Sequence, residues 1–307
     1  MVEINKIPSI RSGIDKARLK IIISENYLDF APEYMSFLGE WITGTYKAFN
    51  DADKYIILAY LFNKTVTFYH DNFVRISYDQ FYNTKQYEIE KINIVEIAKF
   101  LGIPKETTRR KIADLERAQV IKKKGKHLII DRSAFKLVEP INTMKNLTNV
   151  FYLIYKLCKK ESLINAEITK ETITNAMKYN LTYTWFHYYR FIFHWLCNWK
   201  KFFNNDTEKF IIWCIPMLHR ANKMSGDKNK PKHDISSWRL GIEKIETQGI
   251  NTMSLSDITG IPRPTVTRKL KSLIQNKHLY IDKQKLIHPG NQGVFKTEMY
   301  NIQNNAL

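Results

Sequence analysis

An internal repeat limits what this chain can fold into more than any other feature of its sequence. At a shift of 158 residues, the stretch NIVEIAKFLGIPKETTRRKIADL (93–115) aligns with NTMSLSDITGIPRPTVTRKLKSL (251–273). Self-similarity at a fixed spacing indicates repeated structural units. We therefore expect the same core face in both copies. It would be formed by the aligned apolar positions, Ile97, Phe100, Ile112 and Leu115 with Leu255, Ile258, Leu270 and Leu273.

The repeat continues upstream at slightly smaller shifts. At a shift of 154, Tyr34–Asn50 aligns with Tyr188–Asn204, which places Trp41 on Trp195. Asp53–Ile57 then aligns with Glu208–Ile212 at a shift of 155, as one inserted residue between collinear halves would produce. The pattern predicts a tandem duplication.

The duplication predicts two halves of similar design, covering residues 1–140 and 141–307. Each would consist of a helical segment of about sixty residues followed by a smaller module. We place the two modules at about 77–135 and 235–290.

Within the first module, the sequence predicts two helices joined by a tight turn. Asn93 followed by Glu96 is typical of a capping box, and apolar residues follow at helical spacing. Gly102 suits the turn, and Pro104 ends one helix and favours the start of the next near Lys105. A short helix, a glycine turn and a basic amphipathic helix form a helix-turn-helix.

A β-hairpin is predicted after each second helix. Val120–Asp131 contains two β-prone runs around a basic glycine turn, and the second copy has the turn Asp282–Lys285 between apolar strand positions. A hairpin in this place makes a helix-turn-helix winged. The predicted fold class is mainly α with small β-wings, in two tandem winged helix-turn-helix modules.

The residues EIAKFLGIPKETTRRKIADLERAQVIKKKGKHLIID (96–131) resemble the winged helix of bacterial transcription regulators, most closely the cyclic-nucleotide receptor and fumarate-nitrate regulator family. The resemblance implies that Lys105, Glu106 and Arg110 read base edges and that Thr107 contacts phosphate. The second copy has Arg263, Pro264, Thr265, Val266 and Arg268 at these positions. Since proline replaces the acidic residue, we expect a different half-site. The chain shows no resemblance to that family's cyclic-nucleotide domain.

The charge of the chain favours a polyanionic partner. The 48 Lys and Arg residues exceed the 30 Asp and Glu residues by 18, and both modules share the excess. Residues 99–126 carry ten basic and three acidic residues, and residues 263–285 carry seven basic and one acidic residue. The predicted contacts to double-stranded DNA are Lys105, Glu106, Thr107, Arg109, Arg110, Lys111, Lys123, Lys124, Lys126, Arg263, Thr265, Thr267, Arg268, Lys269, Lys271, Lys283 and Lys285.

Other classes of protein fit the sequence less well. It lacks a phosphate-binding loop, a dinucleotide fingerprint, a nucleophile elbow and a zinc-protease motif, so we expect no enzyme, cofactor or metal. Three unpaired cysteines fit a reducing cytosol, and the apolar runs are too short to cross a bilayer. We therefore expect a cytoplasmic protein without a membrane partner. Homodimerisation and a small-molecule effector are left open.

The sequence also predicts whether two further segments are buried or exposed. Thr182–Phe203 is aromatic on nearly every face, which favours burial in the core or an interface over a ligand pocket or base-stacking surface. Arg220–Asp234 is polar and predicts an exposed loop.

The sequence thus predicts a transcriptional regulator that binds double-stranded DNA with two winged helices. Two alternatives stay open: a plasmid-type replication initiator, which is also built from two winged helices, and a winged-helix scaffold for protein interactions.

Overall fold

The structure is a computed structural model, and it describes residues 14–134, 141–225, 234–237, 248–290 and 297–302. Over these residues the chain is mainly helical, with one three-stranded and one two-stranded antiparallel sheet. The predicted class of a mainly helical protein with small β-elements is confirmed at this level.

Three helices form the first helical segment, namely α1 (Lys16–Glu25), α2 (Tyr27–Lys47) and α3 (Ala52–Asp71). The Asp51 side chain accepts a hydrogen bond from the backbone N–H of Lys54 at 3.2 Å, so it caps α3. This cap fixes the first turn of α3 at the point where the helical segment meets the following module.

The first module contains three helices and a three-stranded sheet: α4 (Tyr78–Asn83), β1 (Gln86–Ile89), α5 (Ile94–Leu101), α6 (Lys105–Arg117), β2 (Ile121–Lys124) and β3 (His127–Asp131). The strand order is β1-β3-β2, and Ile130 pairs with Ile121 on one side and Tyr87 on the other. The predicted helix start at Lys105 and the hairpin within Val120–Asp131 are confirmed.

The turn between α5 and α6 has the predicted geometry. Gly102 ends α5 with a φ of 63°, a conformation that side chains with a Cβ rarely adopt. Asn93 caps α5 by accepting from the backbone N–H of Glu96 at 3.2 Å. The reciprocal half of the predicted capping box is absent from this described turn, because the Glu96 carboxylate instead accepts from Tyr60 Oη at 2.7 Å and Lys64 Nζ at 3.1 Å.

The second half likewise places a helical segment before a smaller module. Its elements are α7 (Ile141–Lys160), α8 (Lys170–Tyr179), α9 (Leu181–Phe202), α10 (Thr207–Ser225), α11 (Thr252–Thr259), α12 (Arg263–Gln275), β4 (Leu279–Ile281) and β5 (Ile287–Pro289). We call α11 through β5 the second module. Gly260 again ends the first of its two helices with a positive φ, of 76°. Ile250 bridges to Ile287 beside the β4–β5 hairpin.

The expected loop at Arg220–Asp234 is wrong at its start. The helix α10 continues to Ser225, and Arg220 is buried. The long apolar face of α10 carries the helix past the polar composition on which the loop prediction was based. Residues 226–233 of the expected loop, and residues 238–247 of the expected second module, lie outside the described residues.

The aromatic helix α9 packs in the core, as its composition predicts. Its Trp185, Phe193 and Trp195 are buried, and α9 lies along α3 and meets α2. Trp195 contacts Trp41 of α2 with ring centroids 6.3 Å apart and planes at 80°. The burial expected for Thr182–Phe203 is therefore confirmed.

Most of the expected core face is buried in both modules, but two of its positions are not. Phe100 is 46% exposed and Ile258 is 38% exposed, whereas the six other aligned positions are buried. These two residues lie at the edge of the apolar stripe of their short helices. The ring of Phe100 rests on Tyr60 at 4.8 Å, so it covers the core from outside.

Each glycine turn lies against the opposite half of the chain. A Cβ on Gly102 would overlap the side-chain amide of Asn205, and a Cβ on Gly260 would lie 2.9 Å from the Lys47 side chain. The buried Lys200 ammonium also donates to the carbonyl of Leu101, the last residue of α5, at 2.9 Å. The helices α1–α3 and α7–α10, which we call the helical body, therefore hold both modules at their turns.

Candidate nucleic-acid interface

A lysine anchors each second helix to the capping aspartate of a long helix. Lys111 of α6 forms an ion pair with Asp51, which caps α3. Lys269 of α12 forms the matching pair with Asp206, at 2.5 Å, directly before α10, and it also lies 3.4 Å from Glu208. Because the same contact is made twice, both helices are held in the same rotation about their axes.

These two anchors were expected to contact DNA, but the structure places both side chains against carboxylates. The side chains of Lys111 and Lys269 are only 16% and 13% exposed, and both charges are balanced by carboxylates. Helical periodicity assigned them to the basic helices, but it could not show the aspartates opposite. The signal that could have identified these partners is the aspartate that precedes the aligned starts of α3 and α10.

On α6, the other expected contacts are presented to solvent. Lys105, Arg109 and Arg110 are exposed and Thr107 is half-buried. Glu106 is exposed too, and its carboxylate binds the Arg109 guanidinium in a bidentate way at 2.7 and 3.1 Å. This contact lowers the pKa of Glu106, so its charge offsets that of Arg109.

On α12, the exposed face is basic without an acidic neighbour on the helix. Arg263, Arg268 and Lys271 line one shallow depression together with Pro264 and Thr267, and Thr265 is half-buried. The helix contains no aspartate or glutamate between Arg263 and Gln275. The surface of α12 is therefore more positive than the corresponding surface of α6.

Both hairpin tips carry exposed lysines. Lys123, Lys124 and Lys126 are exposed around the Gly125 turn, and Lys283 and Lys285 are exposed in the second hairpin. The second tip is built by the Asp282 carboxylate, which accepts from the backbone N–H groups of Gln284 and Leu286 at 2.9 Å. Flexible lysines at such tips neutralise phosphates but do not read bases.

A polar cleft of about 720 Å³ lies between α6 and the starts of α3 and α10. Its lining includes the first turns of α6 and the anchor Lys269 of α12, but also four carboxylates, from Asp51, Asp53, Asp206 and Glu208. These acids balance the four basic residues that line the same cleft, Lys99, Arg110, Lys111 and Lys269. Because the charges in the cleft are balanced, the candidate interface consists of the exposed faces of α6 and α12 and the two hairpin tips.

Comparisons with known proteins give no family for this chain. No known protein family matches the sequence, and neither a curated protein nor a solved structure is significantly similar to it. In the described ranges, no helix combines the length and apolar character needed to span a bilayer. The same residues contain no cluster of three or more His, Cys, Asp or Glu side chains arranged to hold a metal ion.

Proposed function

We propose that the chain is a duplicated winged-helix protein that binds double-stranded DNA in a sequence-specific way and regulates transcription. The repeated order of short helix, left-handed glycine, basic helix and antiparallel hairpin supports two winged helices. The first module adds β1 beside β3, and the second has the bridge of Ile250 to Ile287 in the same place.

Contacts between α2 and α9 support an internal pseudo-twofold axis. A twofold interface pairs residue i with j and j with i, and residues on the axis contact their own equivalents. Under the shift of 154, Phe37 is equivalent to Phe191, and their rings lie 6.4 Å apart. The reciprocal pairs also occur, because Tyr34 lies 6.2 Å from Phe191 and Phe37 lies 5.9 Å from Tyr188. Trp41 and Trp195 are a second pair of equivalents in contact.

One observation carries the DNA-binding proposal: the matched lysine anchors leave Arg110 and Arg268 exposed at the same position of both second helices. An arginine in the first turns of a recognition helix can bind guanine O6 and N7 in a bidentate way. The exposed lysines of the hairpin tips would then neutralise phosphates on either side.

The two modules would prefer different half-sites. On α6, Glu106 is exposed beside Arg109 and can accept from a cytosine amino group. On α12, Pro264 stands at that position and has no hydrogen-bonding side chain. We therefore expect a two-part operator whose halves differ in sequence.

Binding-site selection from random duplexes tests this function, followed by affinity measurements on Arg110→Ala and Arg268→Ala. We expect each change to cost about 1 to 3 kcal/mol of binding free energy and to relax the preference at one half-site only. Arg117→Ala is the matched control, because Arg117 is exposed at the far end of α6 and pairs with Asp114. Unchanged selectivity in both variants would contradict base reading by these helices.

Genome-wide mapping of bound sites separates the two DNA-binding alternatives. Sites at promoters support a regulator, whereas one cluster of repeated sites in a replication origin supports a plasmid-type initiator. A winged-helix scaffold would bind no discrete sites. The exposed arginines on both second helices favour the DNA-binding alternatives over the scaffold.

A further inference from the structure

A cavity of about 150 Å³ lies between the first module and the helical body. The module contributes Tyr82 and Arg132, and the body contributes Tyr55 of α3 with Tyr188 and Tyr189 of α9. Thr143 of α7 and several aromatic and aliphatic side chains form the remaining walls. An apolar cavity of this size in a protein can hold a benzene-sized molecule.

Four phenol groups line this cavity without a hydrogen-bond partner among the described residues. They belong to Tyr55, Tyr82, Tyr188 and Tyr189, and each of these residues is partly buried. Burial raises the pKa of Tyr55 to about 12 and raises the pKa of the three others as well. All four therefore stay protonated at neutral pH, so each has an O–H to donate.

Arg132 gives the cavity a positive charge. Its guanidinium lies over the rings of Phe81, Tyr82 and Tyr87, at 4.8, 4.7 and 5.8 Å from their centroids. Its Nη1 donates to the carbonyl of Phe81 at 2.8 Å, whereas its buried Nε has no acceptor among the described residues. Because Arg132 lines the cavity, its charge favours a ligand that carries an anionic group.

The lining selects the charge of the ligand. Aromatic cages often bind cations, but here Arg132 already occupies the faces of three rings and would repel a second cation. Phenol O–H groups and a guanidinium are donors that suit carboxylate oxygens. We infer that this cavity binds a small organic anion with a ring-sized apolar body, of the aromatic monocarboxylate class.

The second half shows that packing alone does not require these hydroxyls, an argument that rests on the proposed duplication. Under the shift of 155, Tyr55 corresponds to Phe210 and Leu58 to Trp213. Trp213 packs against Trp199 with centroids 4.7 Å apart, so a larger side chain fills the space there. The first half therefore has the cavity and the hydroxyl where its counterpart has a filled aromatic cluster.

Calorimetric titration of the full-length chain with benzoate, in the absence of DNA, tests the inference. Benzyl alcohol and benzylammonium serve as neutral and cationic probes of similar shape. We expect benzoate to bind with a dissociation constant of about 0.1 to 1 mM and the other two to bind at least about tenfold more weakly. Because no DNA is present, the outcome does not depend on whether the chain binds a duplex.

Three variants connect the binding to this cavity. Tyr55→Phe removes one hydroxyl and keeps the ring, so we expect benzoate binding to weaken about fivefold. Leu58→Trp copies the second half, fills the cavity and should abolish binding. Tyr183→Phe is the control, because Tyr183 lies on the exposed side of α9 and does not line the cavity.

A thermal melting curve is recorded for each variant to show whether it is folded. If Leu58→Trp does not fold, the affinity of Tyr55→Phe for benzoate decides the test. The inference is overturned if benzoate does not bind up to about 10 mM. It is also overturned if benzylammonium binds as well as benzoate, or if Tyr183→Phe weakens binding as much as Tyr55→Phe.

Discussion

One buried carboxylate in the first module accepts hydrogen bonds from several strands of its sheet. Asp131 at the end of β3 is 2% exposed, and its carboxylate accepts from Lys122 Nζ at 2.5 Å, Gln86 Nε2 at 3.0 Å and the Ser133 backbone N–H at 2.9 Å. The hydrogen bonds from Lys122 and Ser133 hold the pKa of Asp131 well below its usual range. This one carboxylate thus connects all three strands of the sheet to the residues that follow it.

We expect Asp131→Asn to lower the free energy of unfolding by about 2 to 3 kcal/mol at neutral pH, since an amide NH₂ would replace an acceptor that faces several donors. The folded-state pKa lies below the unfolded value, so the stabilisation is present above about pH 4 and is lost as the pH falls below it. The denaturation curves of wild type and variant should therefore converge in acid. Asp257→Asn, at an exposed position, should change stability by less than about 0.5 kcal/mol. Parallel curves at all pH values would contradict this assignment.

At the residue scale, the sequence identified types and positions better than partners. It placed Lys111 and Lys269 on basic helices, but the carboxylates that bind them come from helices about sixty residues earlier in the chain. It marked Phe100 as core because it is apolar, although the edge of a short helix leaves it half-exposed. The tyrosine-lined cavity was not predictable from the sequence, because it is a space left between the first module and the helical body, whose lining residues are distant in the sequence.

At the element scale, prediction succeeded wherever local chemistry fixes the backbone. The α5–α6 turn, the start of α6 and both hairpins follow from glycine, proline and alternating apolar residues, and the structure has them where the sequence predicts them. The extension of α10 to Ser225 was missed because tertiary packing overrides the polar composition of its last turns.

Two glycines allow the conformational and the packing roles of a turn to be measured separately. Gly102 and Gly125 both have a φ near 60°, but only Gly102 has a side chain, that of Asn205, where its Cβ would lie. We expect Gly125→Ala to cost about 1 kcal/mol of stability through backbone strain alone. Gly102→Ala should cost at least about 2 kcal/mol, because Asn205 must also move.

Chemical denaturation of both variants, together with Asn205→Gly and the double variant, checks this expectation. Removing the Asn205 side chain should recover about 1 kcal/mol of the Gly102→Ala cost, which a double-mutant cycle measures as coupling. Equal costs for the two alanine variants, or zero coupling, would show that the contact between the turn and the opposite half contributes nothing.

At the scale of the whole molecule, the proposed DNA surface predicts a steep dependence on salt. If the two modules together neutralise about eight phosphates, the logarithm of the binding constant should fall with the logarithm of salt concentration at a slope of roughly −7. Replacing Lys123, Lys124 and Lys126 by alanine should reduce the magnitude of that slope by about 2.7, at about 0.9 per phosphate contact.

The control is a second triple variant that loses three positive charges at other positions on the surface. Alanine at Lys145, Lys156 and Lys160 removes three exposed lysines from α7, which belongs to neither module, and should leave the slope unchanged. Equal changes in both triple variants would mean that net charge, rather than the hairpin tip, governs the attraction.

A tandem duplication usually suggests two units that could be separated, yet the crossed contacts of Gly102 with Asn205 and of Gly260 with Lys47 make each module rest on the opposite half. A nick in the chain between the halves should consequently leave a stable, non-covalent pair of fragments. Either fragment produced by itself would expose aromatic faces of α2 or α9 and aggregate. We therefore expect the two halves of the proposed duplication to unfold together as one unit.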